Sequence, residues 1–220
     1  MPVNPKYLAD FYENGIFHVY NRTNNNEHLF KSEENYIFFL KQYSYYLSPF
    51  IETFCWCLLP NHFHLLIRVK ETKDIQSHFS KLEKEKLTLT EKNFIEGKKD
   101  LSELIEVIFK NFFQSYSQSF NKAYNRKGNL FYRPFKRVEI NSDSHFTQSI
   151  IYIHANALKH NLIEDFKNYK WSSWKSLLSN SPTGLLRNEV LEWFGGKDLF
   201  IKTHEELSKF YYDCETAIEN

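Results

Sequence analysis

Apolar and polar positions alternate along Gly15-Ile16-Phe17-His18-Val19-Tyr20-Asn21-Arg22, the period of a β-strand. The polar run Thr23-Asn24-Asn25-Asn26 ends it. Ser32 followed by Glu33 and Glu34 is a helix start, and the helix runs through Tyr36-Ile37-Phe38-Phe39-Leu40 towards Leu47 and stops before Pro49. Residues 50–58 are rich in β-formers and turn at Pro60-Asn61 into a second apolar strand, which predicts an antiparallel hairpin. Strand, helix, strand, strand is the first half of a split βαβ unit. Residues 71–100 look exposed, with lysine and glutamate alternating from Lys81 to Lys86, and read as an insertion without chemistry. Leu101, Leu104, Ile105, Ile108, Phe109, Phe112 and Phe113 then recur at helical spacing, predicting a helix over 101–124. Residues 135–140 supply a fourth strand, and Ser142 or Asp143 caps a helix through His154. His154 and His160 read as polar residues of that helix and the turn after it. Gly195-Gly196 breaks a short helix, and a last amphipathic helix spans 202–216.

The expected fold is therefore α+β: a ferredoxin-like split βαβ antiparallel sheet with helices on one face, plus a C-terminal helical extension. The main domain covers 12–180, with 71–100 inserted, and the extension covers 181–220. A hydrophobic content of 42% over 220 residues suits a packed domain. A formal net charge of +1 leaves nucleic-acid binding to a local patch and not to a global field. Cys55, Cys57 and Cys214 form no disulfide framework and no CxxC pair, which fits a reducing, cytoplasmic setting. The first residues lack the apolar core of a signal peptide and no run is long enough to span a bilayer, so no membrane association is expected.

Two segments carry candidate chemistry. In Leu59-Pro60-Asn61-His62-Phe63-His64-Leu65-Leu66-Ile67, residues at i and i+2 of a strand share a face. His62 and His64 can thus aim two imidazoles at one point, as a divalent metal requires. By itself the pair is better read as two histidines on an ordinary edge strand. The second segment places Lys122, Arg126, Lys127, Arg133, Lys136 and Arg137 among Tyr124, Phe131, Tyr132 and Phe135, with no acid between Asn121 and Val138. Cations neutralise phosphates and aromatic rings stack on unpaired bases.

Taken together, six stretches resemble the HUH single-tyrosine transposases, most of all their REP-associated branch. They are Phe17-His18-Val19-Tyr20-Asn21-Arg22, Leu59-Pro60-Asn61-His62-Phe63-His64-Leu65-Leu66, Ser115-Tyr116-Ser117-Gln118-Ser119-Phe120-Asn121, Gly128-Asn129-Leu130-Phe131-Tyr132-Arg133-Pro134-Phe135-Lys136, Tyr152-Ile153-His154-Ala155-Asn156 and Tyr169-Lys170-Trp171-Ser172-Ser173. The resemblance covers residues 15–178. It implies cleavage of single-stranded DNA through a 5′-phosphotyrosine link, with a divalent ion (Mg2+ or Mn2+) as cofactor. By that resemblance His62 and His64 hold the metal and Tyr116 is the nucleophile, with Tyr124 as the competing tyrosine. The third ligand falls to Asn121, or else Gln118. Arg22, Lys122, Arg126, Lys127, Arg133, Lys136 and Arg137 contact single-stranded or hairpin DNA, and the protein works as a homodimer. A non-catalytic DNA-binding relative and a phosphodiesterase that uses water are the alternatives.

Overall fold

A computed structural model describes residues 4–213. Cys214 and the expected helix end at Thr216 lie outside the described residues. Four strands, β1 (Ile16–Arg22), β2 (Ile51–Leu59), β3 (His62–Val69) and β4 (Lys136–Glu139), form one antiparallel sheet in the order β2-β3-β1-β4. That is the strand order of a split βαβ sheet. Helix α1 (Glu33–Leu47) joins β1 to β2. Between β3 and β4 come α2 (Thr72–Ser80), α3 (Leu89–Ile95) and α4 (Leu101–Ala123). Asp100 and Glu103 form a capping box that fixes the start of α4. After β4 follow α5 (Asp143–Lys159), α6 (Trp174–Leu178), α7 (Arg187–Trp193) and α8 (Lys197–Asp213).

Strand alternation splits the interior into two cores. Phe17, Val19, Phe63, Leu65 and Ile67 face α1 and α4, meeting Phe39, Tyr43, Phe109, Phe112 and Tyr116. Cys55, Cys57, Leu59 and Leu66 face the other way, towards Ile150, Ile151 and Ile153 of α5. The crossover helices α1 and α4 lie on one face, as the pattern predicts. The opposite face is not left open, however, because α5 covers it. Phe200 and His204 of α8 are buried behind α5, so the end of the chain completes a core there.

Residues 71–100 also depart from the expected exposed insertion. Ile75 and Phe79, one turn apart on α2, are buried in the α1–α4 core, with Phe79 against Phe50. This i, i+4 apolar pair is outnumbered in the sequence by the charges around it, which remain on the solvent side. The stretch Tyr169-Lys170-Trp171-Ser172-Ser173 closes the outer edge of β2. The Leu58 amide donates to the Trp171 carbonyl at 2.8 Å, the Tyr169 hydroxyl to the Leu58 carbonyl at 2.9 Å, and Trp171 stacks on Tyr36 at 4.1 Å. An edge tied down in this way is not open to pairing with another strand.

Candidate metal and nucleic-acid site

The Leu59-Pro60-Asn61-His62 turn is held from outside the hairpin. The Thr23 amide donates to the Asn61 carbonyl at 2.9 Å, and the Leu29 amide to the Pro60 carbonyl at 2.6 Å. The register then sets the neighbours of the histidines. His64 lies opposite Tyr20 and His62 opposite Arg22. Tyr20 in turn lies opposite Lys136 on β4. Because β1 alternates like β3, His18, Tyr20 and Arg22 share the face of His62 and His64.

Four imidazoles gather there. The His62 and His64 rings are perpendicular with centroids 5.3 Å apart, His160 at the end of α5 lies 4.7 Å from His62, and His18 Nε2 is 2.9 Å from His64 Nδ1. Tyr152 of α5 packs edge-on against His18 and His64. His62 Nδ1 is 2.6 Å from the Asn61 side-chain oxygen, to which it donates. Both rings of the motif are thus gripped at Nδ1, so a metal would be taken at Nε2 of each. A ligand ring whose other nitrogen is held by a neighbour is the usual arrangement around a bound ion. Among the described residues no three His, Cys, Asp or Glu side chains converge into a complete metal cage. Imidazoles are borderline ligands better suited to transition metals than to Mg2+, and an ion held by only two of them would complete its shell with water and phosphate oxygens. The donor set therefore fits such a cation in part, without the expected third ligand.

The histidines line a cleft of about 250 Å3 with Tyr20, Arg22, Asn26, Asn61, Tyr132, Arg133, Pro134, Lys136 and His160. A second cleft of about 740 Å3 lies between α4 and residues 128–137 and includes Gln114, Gln118 and Asn121. The two share Asn21, Tyr132, Arg133 and Pro134.

The structure does not bring Tyr116 to the histidines. Tyr116 lies in the core with Phe63 and Leu65, whose side chains leave β3 on the side opposite to His62 and His64. It is 1% exposed, its hydroxyl donates to the Leu29 carbonyl at 2.9 Å, and burial holds its phenol well above the ordinary range. Tyr124 is also engaged elsewhere, donating to the Asn35 side-chain oxygen at 2.8 Å. Asn121 and Gln118 face the larger cleft, and the Asn121 amide is spent on the Gly128 carbonyl at 3.0 Å and on Arg126 at 3.1 Å.

The basic segment divides as well. Arg22, Lys122, Lys127 and Arg133 are exposed, and Lys136 is half-buried over the rings of Tyr7 and Tyr20. Arg126 instead pairs with Glu27 at 2.5 Å and clamps the carbonyls of Gly128 and Asn129. Arg137 is buried against Glu106 and donates to the Ala9 carbonyl at 2.6 Å. Their acids come from distant parts of the chain, so local charge density overstated the patch by these two residues. Sequence reasoning also passed over His18 and His160. The strand period placed His18 on the right face, but nothing local joined it to the motif, and His160 arrives only through the packing of α5.

No protein-family model and no curated protein matches the chain in sequence. In fold it is similar to the solved structure of a REP-associated tyrosine transposase bound to a REP hairpin, with a TM-score of 0.53 over 83% of this chain and 89% of that chain. Sequence identity is 16%, so the similarity speaks to the arrangement of strands and helices and not to the residues of the cleft. Among the described residues no helix is long and apolar enough to cross a membrane.

Proposed function

We propose that the protein is a metal-dependent enzyme that cleaves and rejoins single-stranded DNA next to a hairpin, through a 5′-phosphotyrosine intermediate. The observation that carries this reading is the placement of His62 and His64, both held at Nδ1, in a cleft flanked by Arg22, Arg133 and Lys136. The fold of a transposase bound to a DNA hairpin supports it. His62 and His64 would hold Mg2+ or Mn2+, and the bound ion would act as a Lewis acid towards the scissile phosphate. Arg22, Arg133 and Lys136 bind the DNA backbone at the cleft, and Lys122 and Lys127 extend the basic surface beyond it. Such contacts position a strand without reading its sequence. Residues 12–180 form the catalytic domain and the helices after residue 181 an extension that buttresses α5. The working form is a homodimer.

The reading is tested by titrating Mn2+ calorimetrically into wild type, His62→Ala and His64→Ala, alongside cleavage of hairpin oligonucleotides. Loss of both Mn2+ binding and cleavage in each variant is expected, with the folded state retained. Metal binding that survives both substitutions would sink the assignment. A second reading, DNA binding without strand cleavage, is favoured by the burial of Tyr116, which removes the expected nucleophile from the cleft. It requires hairpin binding that is unaffected by chelator, with no cleavage under any metal.

A further inference from the structure

The larger cleft holds side chains that the proposed reaction leaves unused. Gln114, Ser117, Gln118 and Asn121 recur at helical spacing on α4, and all four line the cleft. Two of them are already engaged. The Ser117 hydroxyl donates to the Phe113 carbonyl at 2.6 Å, and Asn121 is held by Gly128 and Arg126. Gln114 and Gln118, one turn apart, are exposed, and among the described residues no hydrogen bond occupies either carboxamide. The same cleft has an aromatic lining, in which Phe113 sits 5.1 Å from Phe131 and 5.4 Å from Phe135. The wall towards the histidines is tied down. The Tyr132 amide donates to the Arg22 carbonyl at 3.0 Å, and its carbonyl accepts from the Asn21 side chain at 3.2 Å. The Tyr132 ring stands 44% exposed on that wall, with the Arg22 guanidinium 4.9 Å from its centre.

Carboxamides beside aromatic rings suit a nucleobase. The rings receive its flat face, and a carboxamide, which both donates and accepts, matches the N6–H and N7 edge of adenine. Arg137 and Lys110, which also line the cleft, both pair with Glu106, so it offers a phosphate less than it offers a base. Its volume of about 740 Å3 lies within the range of ordinary ligand sites, about 300–1,000 Å3. Resting on the proposed strand cleavage, we infer that the larger cleft takes one unpaired adenine of the bound strand, read by Gln114 and Gln118, while the strand crosses Tyr132 into the histidine cleft. Asn21, Tyr132, Arg133 and Pro134 are common to both clefts, so a base held on one side fixes which phosphate is presented on the other. The two glutamines set specificity and touch neither the metal nor the scissile phosphate.

The experiment binds the full chain, with Mn2+, to a pool of single-stranded oligonucleotides, each a hairpin with randomised flanks, and sequences the bound fraction. Gln114→Ala, Gln118→Ala and the double variant are run beside wild type. Both side chains are exposed, so the variants keep the fold, and circular dichroism checks it. Wild type is expected to enrich adenine about tenfold at one flank position, the discrimination of a single good base contact. In the double variant the enrichment disappears, while a hairpin with a pyrimidine at that position binds as it does to wild type. Bound strands with no flank preference, a preference for another base, or a preference that persists in the double variant overturn the inference and leave the proposed cleavage standing. Deoxyadenosine monophosphate that binds alone as tightly as the strand marks a free-nucleotide site and also overturns it. Failure to bind any hairpin strand overturns both.

Discussion

Two pairs of imidazoles bring ring nitrogens within hydrogen-bond distance against α5, and they differ in almost everything but the contact itself. His18 and His64 are 2.9 Å apart, and His154 and His204 are 3.0 Å apart. The first pair adjoins a cleft ringed by cations and polar side chains. The second is sealed among Trp174, Phe194 and Phe200, with both histidines fully buried. Its hydrogen bonds can be assigned one by one. His204 Nδ1 donates to the Phe200 carbonyl, its Nε2 accepts from His154 Nδ1, and His154 Nε2 accepts from the Ser173 hydroxyl, whose oxygen accepts the Trp56 amide. Every position is filled when both rings are neutral, and none is offered to a ligand. The sealed pair is a fastening between α5, α8 and the β2 edge. The same residue type at the same spacing thus serves structure in one place and is available for chemistry in the other, and the surroundings decide which.

The widest separation between the cleft histidines and the sealed pair is in stability. His154→Ala removes a buried ring, leaves a cavity and strands the partners at both nitrogens. We expect it to cost about 3 kcal/mol. His62→Ala, at the half-buried mouth of the cleft, is expected to cost less than about 1 kcal/mol. Urea unfolding of the two variants measures the contrast. Equal losses would mean that the cleft histidines are structural too.

This contrast also marks how far the sequence could be read. The strands, α1, α4 and the turn at Pro60-Asn61 were legible because each rests on a local period or a local stop signal. The His62–His64 pairing on one face was legible for the same reason. The position of Tyr116 was not read correctly, although its helical period holds the answer. Tyr116 follows Phe109, Phe112 and Phe113 at spacings of seven, four and three, so it continues the buried stripe of α4. Ser115, Ser117, Gln118 and Ser119 around it are small or polar and give no sign of that continuation, and the resemblance implies a nucleophile there. His154 reads locally as a polar helix residue because its partners, Ser173 and His204, are 19 and 50 residues away. Arg126 and Arg137 look like free charge in the sequence because Glu27 and Glu106 are 99 and 31 residues away. Long-range polar pairing is what local patterns do not carry.

A smaller effect sharpens the comparison through pH. Burial pushes His204 down to about 3 and lowers His154 as well. Between that value and the ordinary histidine range near 6.5, the unfolded chain binds protons that the folded pair refuses. Stability is therefore intact above about pH 6.5 and falls as the pH drops. The loss for His204 is about 2 kcal/mol on going from pH 7.5 to pH 5. A His154→Leu, His204→Leu double variant replaces both partners with apolar groups, and Ser173 keeps the Trp56 amide. Its unfolding free energy from urea titration should change less between the two pH values than that of wild type by this amount. An identical pH slope in both proteins would place the acid sensitivity elsewhere.

The smallest expected effect falls on Tyr116. Tyr116→Phe deletes one hydroxyl and leaves the ring among Phe38, Phe39 and Phe131. What is lost is a single buried hydrogen bond to the Leu29 carbonyl, about 1 kcal/mol. As a core residue, Tyr116 gives a variant slightly easier to unfold, with Mn2+ affinity and strand cleavage unchanged. As a nucleophile, it gives one of undiminished stability that forms no covalent product. The Leu29 carbonyl sits beside the segment that holds the Pro60-Asn61 turn, since the Leu29 amide donates to Pro60. Loosening that segment could reach the histidines indirectly, but it would then weaken metal binding and cleavage together. Unfolding, metal titration and adduct formation measured on this one conservative variant therefore separate a ring that supports the site from a hydroxyl that reacts in it.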